Sequence, residues 1–176
     1  MSRNRSSAYW AANRYADEAA EPSLTAPLDD LPAAAAARFK LLRAGLTELT
    51  GVAEAVRYMG ASWRWAWEYG VGNRKLCWVH VVGDTLSATF TMSDAEEDRL
   101  ARAGRVPADI RRAIDEGQRT GPLKWCWMPL DDRRSVDTFL RLAGRKAEWL
   151  AERPAPQRAP QLRSRRRAGG GADDSE

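Results

Sequence analysis

Apolar positions along the chain set its first reading. Ala35, Phe39, Leu42, Leu46 and Leu49 recur at steps of three and four, which puts their side chains on one face of a helix. Asp29-Asp30-Leu31-Pro32 precedes them as a helix start, with an acidic cap and a proline in the first turn, so a helix is expected over 33–49. A shorter helix is expected next, with Val52, Ala55, Val56 and Met59 on one face and Gly60 after it. The period then changes to two. Trp63, Trp65, Trp67 and Tyr69 alternate with Ser62, Arg64, Ala66 and Glu68, which predicts a strand over 63–70. Leu76 to Val82 is apolar on both alternations, as in a covered central strand over 76–82, and Gly83-Asp84 is a hairpin turn. Over 85–92, Leu86, Ala88, Phe90 and Met92 face one way while Thr85, Ser87, Thr89 and Thr91 face the other. One side of that strand is expected to meet water.

Ser93-Asp94-Ala95-Glu96 is a capping box that opens a helix over 94–103. Pro107 starts another over 107–117, with Ile110, Ala113 and Ile114 on its buried face. A fourth strand over 123–130 carries Trp125 and Trp127 in step. Asp131 or Asp132 caps a last helix over 132–150, with Val136, Phe139, Leu140, Ala143, Ala147 and Leu150 at helical spacing. This order predicts a two-layer α+β domain: a mainly antiparallel four-stranded sheet with helices on one face. Residues 1–30 show no sustained period and read as a disordered arm, and the Pro/Arg/Gly-rich stretch 153–176 as a disordered tail, which leaves one domain over 31–152.

Composition narrows the picture only a little. The hydrophobic share of 44% suits a globular chain of 176 residues. The net charge of +4 is an arginine surplus spread thinly, which argues against a dedicated nucleic-acid binder. No apolar run approaches a membrane span, and no apolar region follows the basic start, so the expected location is cytoplasmic with no membrane partner. Two cysteines are too few for a disulfide scaffold.

Several landmarks resemble a family of small bacterial proteins. Tyr58-Met59-Gly60 followed by Trp65 and Tyr69-Gly70, then Cys77-Trp78 and Ala88-Thr89-Phe90, are similar to the domain-of-unknown-function family 3788. Leu100, Pro107-Ala108-Asp109-Ile110 and the stretch Asp131 to Leu142 also fit, so the resemblance runs from about Arg38 to Leu150. It implies strand and helix landmarks and carries no catalytic signature, activity or site.

Eight tryptophans are the most unusual feature. Trp63, Trp65 and Trp67 share one strand face, Trp78 and His80 a second, and Trp125 and Trp127 a third. If these faces coincide, they make an aromatic floor between sheet and helices, able to stack a flat apolar or aromatic ligand. The same rings equally suit a plain core. His80, the single histidine, has no paired base nearby and reads as a core residue. Cys77 and Cys126, which could face each other across adjacent strands, read as small buried side chains, and neither a metal site nor a cofactor is expected. Asp94, Glu96, Glu97 and Asp98 are explained by the helix dipole. Gly70-Val71-Gly72 lacks the strand-to-helix setting of a phosphate loop. Arg163, Arg165, Arg166 and Arg167 offer a weak, salt-sensitive contact with nucleic acid. The expected role is a non-enzymatic small-ligand or partner-binding domain on the tryptophan-rich sheet, whose cover a homodimer contact can complete. The alternatives are a weak nucleic-acid-associated protein acting through the arginine tail, and an enzyme using His80, Glu68 or Arg64.

Overall fold

Six antiparallel strands form one sheet among the described residues, which are 7–152 of the computed structural model. In chain order they are β1 Val52–Tyr58, β2 Trp65–Val71, β3 Arg74–Val82, β4 Thr85–Ser93, β5 Gln118–Thr120 and β6 Leu123–Pro129. Their order across the sheet is β1-β2-β3-β4-β6-β5. The α+β class and the antiparallel sheet agree with the sequence, whereas the expected four strands are six.

Both extra strands have a physical reason. Val52 and Val56 are four apart, a spacing that fits one helix face and equally one strand face. Pairing decides between them: β1 runs in register with all of β2, from Val52 opposite Val71 to Tyr58 opposite Trp65. Seven residues then gain cross-strand partners, which outweighs a short helix that nothing nucleates. The other addition, β5, has only exposed residues and therefore no apolar pattern to read. It returns onto β6 through Gly121, whose φ of 59° suits a residue without a β-carbon.

Four helices cover one face of the sheet: α3 Ala33–Thr47, α4 Asp94–Arg102, α5 Ala108–Asp115 and α6 Arg133–Glu152 (α1 and α2 are described below). Alternation sends Trp67, Tyr69, Val79, Val81, Ala88, Phe90, Cys126 and Met128 toward them. There they bury against Phe39, Leu42, Leu46, Ile110, Val136 and Phe139. The capping box opens α4 as expected, with Ser93 and Glu96 bonding each other's backbone N–H. Lys146 enters this layer from α6, 2% exposed. Its ammonium donates to the Thr91 carbonyl at 2.7 Å and to Glu96 Oε1 at 2.8 Å. No helix among the described residues is long and apolar enough to cross a membrane.

From Ser7 onward the N-terminal segment is not a free arm. It holds two short helices, α1 Ser7–Ala11 and α2 Ala26–Asp30, and between them it crosses the sheet. Asn13 bridges to Val82, Arg14 N–H donates to the Val81 carbonyl, and Gly83 N–H donates to the Ala12 carbonyl. Asn13 Nδ2 also reaches the carbonyls of Trp63 and Trp65. The segment thus wedges between the start of β2 and the end of β3. Trp10 lands on the outer face, away from α3–α6, and Tyr15 packs on Trp67 on the helical side. Two large aromatics, Tyr9 and Trp10, inside a polar stretch were the available sign of docking. The expected tail 153–176, with Arg163, Arg165, Arg166 and Arg167, lies outside the described residues.

Candidate functional site

The tryptophans divide between the two faces of the sheet and do not form one floor. Trp65 and Trp67 point to the helical side and are sealed there. Trp65 donates its indole N–H to the Asp17 carbonyl at 2.7 Å, and Trp67 donates to the Leu24 carbonyl at 3.0 Å. Tyr15 and Phe39 meet the Trp67 ring edge-on, and Trp67 is fully buried. These two are core.

Trp78, His80, Trp125 and Trp127 occupy the outer face, as the cross-strand register requires. One row runs Glu68, Trp78, Thr89, Trp127, and the next runs His80, Ser87, Pro129. Trp63 was expected on the same side as Trp65, two positions on. It precedes β2 instead, in a loop that Met59 and Arg64 close by backbone hydrogen bonds, and Arg64 has a φ of 63°. That left-handed residue breaks the alternation between Trp63 and Trp65 and sends Trp63 to the outer face. There it lies 5.7 Å from Trp125 and 6.0 Å from Trp127, centroid to centroid. Trp78 stacks on Trp125 at 5.2 Å.

Trp10 completes the cover. Its ring stacks on Trp63 at 4.9 Å and stands edge-on to His80, also at 4.9 Å. Tyr9 meets it at 5.1 Å. Ser87 and Thr89, expected to face water, are fully buried under this aromatic roof, and so is His80.

Beneath the roof the polar atoms are sparsely partnered. Both His80 ring nitrogens, Ser87 Oγ, Thr89 Oγ1 and Trp127 Nε1 complete no hydrogen bond of ordinary geometry among the described residues. The Tyr9 phenol is nonetheless within hydrogen-bonding reach of Ser87, and the Trp63 backbone within reach of the His80 ring. Burial strips water from the imidazole and pushes its pKa down to about 3, against the weaker pull of the Trp63 backbone toward the protonated ring. At neutral pH His80 is therefore uncharged, with one donor and one acceptor nitrogen.

The carboxylate nearest Trp78 is engaged elsewhere. Glu68 is mostly buried. Burial alone would raise its carboxyl pKa, but the Lys75 ammonium and the Trp78 indole N–H hold it below the ordinary range. Arg57 adds a longer contact at 3.4 Å. Glu68 thus anchors Trp78 and is not free to act as an acid or base. Arg64 is half-buried on the rim of a cleft of about 410 Å³ that Trp10, Ala11, Trp63 and Trp127 also line. A second cleft, about 510 Å³, reaches Trp127 from the side of Tyr9, Asp131 and Arg112. The indole of Trp127 stands between the two.

Chemically, the imidazole of the patch is a poor base. His80 sits opposite Ser87 in the ladder, yet no carboxylate orients the imidazole, and a pKa near 3 makes it a weak base. Cys77 and Cys126 are both buried on the helical side, and β4 separates their strands, so they do not face each other across adjacent strands. Burial raises both thiol pKa values, that of Cys126 to about 12. Asp94, Glu96 and Glu97 pair with Arg119, Lys146 and Lys124, and no metal-binding group of three His, Cys, Asp or Glu occurs among the described residues.

No family model matches the chain, and neither a curated protein nor a solved structure matches it significantly. The likeness to the domain-of-unknown-function family 3788 rests on the residues quoted for it above. Sequence reasoning reached Trp63, Trp78, His80, Trp125 and Trp127 and missed Trp10, Tyr9, Ser87 and Thr89. The last two were visible only as polar alternates on an apolar strand.

Proposed function

We propose that this protein is a non-enzymatic small-molecule-binding module whose site is the outer face of the sheet at His80, Ser87, Thr89 and Trp127, roofed by Trp10 and Trp63. The observation that carries this reading is a buried polar row on the aromatic face, in which Thr89 Oγ1 and Trp127 Nε1, on directly paired positions, have no hydrogen-bond partner among the described residues. Each such group costs roughly 1–3 kcal/mol when left unsatisfied. Two together are a sizeable fraction of the stability of a domain, about 5–15 kcal/mol. Such a cluster is retained where something serves it, and a ligand and ordered water are the two candidates. The aromatic faces favour a ligand, since water needs donors and acceptors but no stacking surface.

The test is a screen of uncharged aromatic compounds by tryptophan emission and thermal melting. A binder should change emission saturably and raise the melting temperature with concentration. The response should vanish in Ser87→Ala/Thr89→Val while that variant remains folded. A screen without any saturable response, together with a gain in stability when both hydroxyls are removed, would reject the reading in favour of a polar flaw in a plain core.

A further inference from the structure

We infer that a second copy of this chain docks head to tail on the first: the acidic segment 15–30, led by the exposed Leu24, seats in an arginine-rimmed groove between α5 and α6.

Three helices build the groove. Leu100 of α4, Ile110 of α5 and Leu142 of α6, all buried, make its floor together with Pro107. The hollow measures about 140 Å³. That is below the roughly 300–1,000 Å³ of small-molecule pockets and suits one protruding aliphatic side chain. Arg105, Arg141 and Arg145 stand exposed on the rim, and no carboxylate lines it. Arg141 donates to the Thr138 hydroxyl, while the neighbouring ion pairs, Arg99–Glu152, Arg112–Asp109 and Arg133–Asp137, use other arginines. Arg141 and Arg145 lie four apart on one helix face, where like charges repel and an anionic partner relieves them.

The same chain carries the matching surface. Residues 15–30 hold five carboxylates, Asp17, Glu18, Glu21, Asp29 and Asp30, and no lysine or arginine. All five are exposed. Leu24, in their midst, is 38% exposed and one of two large apolar side chains so exposed among the described residues. The other, Leu123, adjoins Lys124 rather than carboxylates. The indoles of Trp65 and Trp67 hold the carbonyls of Asp17 and Leu24, so the backbone of the segment is fixed before it docks and loses less freedom on binding.

Topology makes the contact intermolecular. Across the helical layer α2 packs on α3, α3 on α6 and α6 on α5. The acidic segment and the groove therefore sit at opposite edges of one molecule and meet only between copies. Such a contact is heterologous, and copies add on until a ring closes. The charges set the orientation, and Leu24 supplies the apolar burial.

Sedimentation velocity on the full chain tests this. At about 50 mM salt the native chain should associate as its concentration rises. At about 0.5 M salt, where screening acts beyond roughly 4 Å, the association should weaken at least about tenfold. Leu24→Asp and Arg141→Glu/Arg145→Glu, both confined to exposed positions, should each stay monomeric alone, with circular dichroism showing both folded. Mixed, they should form one-to-one pairs and nothing larger, since one variant keeps only the groove and the other only the acidic segment. Should either not fold, Glu18→Lys/Glu21→Lys and Arg145→Glu alone take their places. A native chain that stays monomeric at low salt overturns the inference. Association that persists in either variant alone, or a mixture that stays monomeric, also overturns it, because the contact would then lie elsewhere.

Discussion

Trp10 stands edge-on over His80 with ring centroids 4.9 Å apart, so a residue from the extreme N-terminal part of the described chain shields the single histidine from water. This contact fixes a pH dependence. The folded pKa of His80 lies at about 3, below the ordinary 6.5, because the buried imidazole resists protonation. Above about pH 6.5 both folded and unfolded forms are neutral and the group contributes nothing. As pH falls below that value the unfolded chain takes up a proton that the folded chain refuses, so stability is lost on acidification. The loss approaches about 1.4 kcal/mol per pH unit and continues toward pH 3. Between pH 7.5 and pH 5 it should amount to about 2 kcal/mol in urea titrations, and His80→Leu should remove most of it. An unchanged pH slope in His80→Leu would show that the imidazole is not held neutral. The ring resonances of His80 should likewise show no titration between pH 7 and pH 5.

Trp67 and Trp63 belong to different environments despite their similar positions in the sequence. Trp67 is fully buried against Phe39 and Tyr15, and its indole N–H is satisfied by Leu24. Trp67→Ala should cost about 3–5 kcal/mol, the usual range for a large aromatic removed from a core. Trp63 is only half-buried and lies on the roof. Trp63→Ala should cost under about 2 kcal/mol. Chemical denaturation of both variants checks the order. A reversed order would mean that the outer face is the principal core.

These two residues also show where the sequence was legible. Alternation from Trp65 to Tyr69 identified β2 and the apolar run of β3 identified its centre, because period two and continuous burial leave a direct imprint. The helices α3 to α6 were equally readable from spacing and caps. What could not be read was any feature that depends on a single backbone angle or on pairing with a distant segment. The left-handed Arg64 inverts the side on which Trp63 lies, and no residue type announces it, since arginine is not a turn-former. Val52 to Tyr58 became a strand through the presence of β2. Ser87 and Thr89 had the pattern of a wet face and are buried, on a face that Tyr9 and Trp10 reach from more than seventy residues away. The site is the part of the molecule built from long-range contacts, and so it was the least legible.

The Lys146–Glu96 pair ties α6 to the start of α4, with the two side chains 3% and 13% exposed. Burial alone would raise the Glu96 pKa, but the Lys146 ammonium and the Ser93 hydrogen bonds bring it below the ordinary carboxylate range. Lys146→Met leaves the carboxylate and the Thr91 carbonyl without their partner, and should cost about 3–5 kcal/mol. Glu96→Gln keeps the reach back to Ser93 and should cost less. The double variant should be more stable than the sum of the two losses by at least about 1 kcal/mol, because each single change strands the other group. Simple additivity in a thermodynamic cycle would show the pair to be incidental.

Arg64 offers a way to separate the scaffold of the loop from the surface it presents. Its φ of 63° is a conformation that costs a non-glycine residue on the order of 1–2 kcal/mol, and the loop enforces it through two backbone hydrogen bonds. Arg64 N–H donates to the Gly60 carbonyl at 2.7 Å, and Met59 N–H donates to the Arg64 carbonyl at 2.7 Å. Replacing Arg64 by glycine relieves the crowding at the β-carbon but makes the unfolded chain more flexible, which offsets about 0.4–1 kcal/mol of the gain. Arg64→Gly should therefore stabilise the protein by up to about 1 kcal/mol. Arg64→Ala keeps the β-carbon and its strain, so it should leave stability close to that of the native chain. Urea midpoints of the two variants decide the matter, and Trp63 should keep its emission in both because the backbone course is unchanged. If Arg64→Gly were no more stable than Arg64→Ala, the left-handed turn would not be strained.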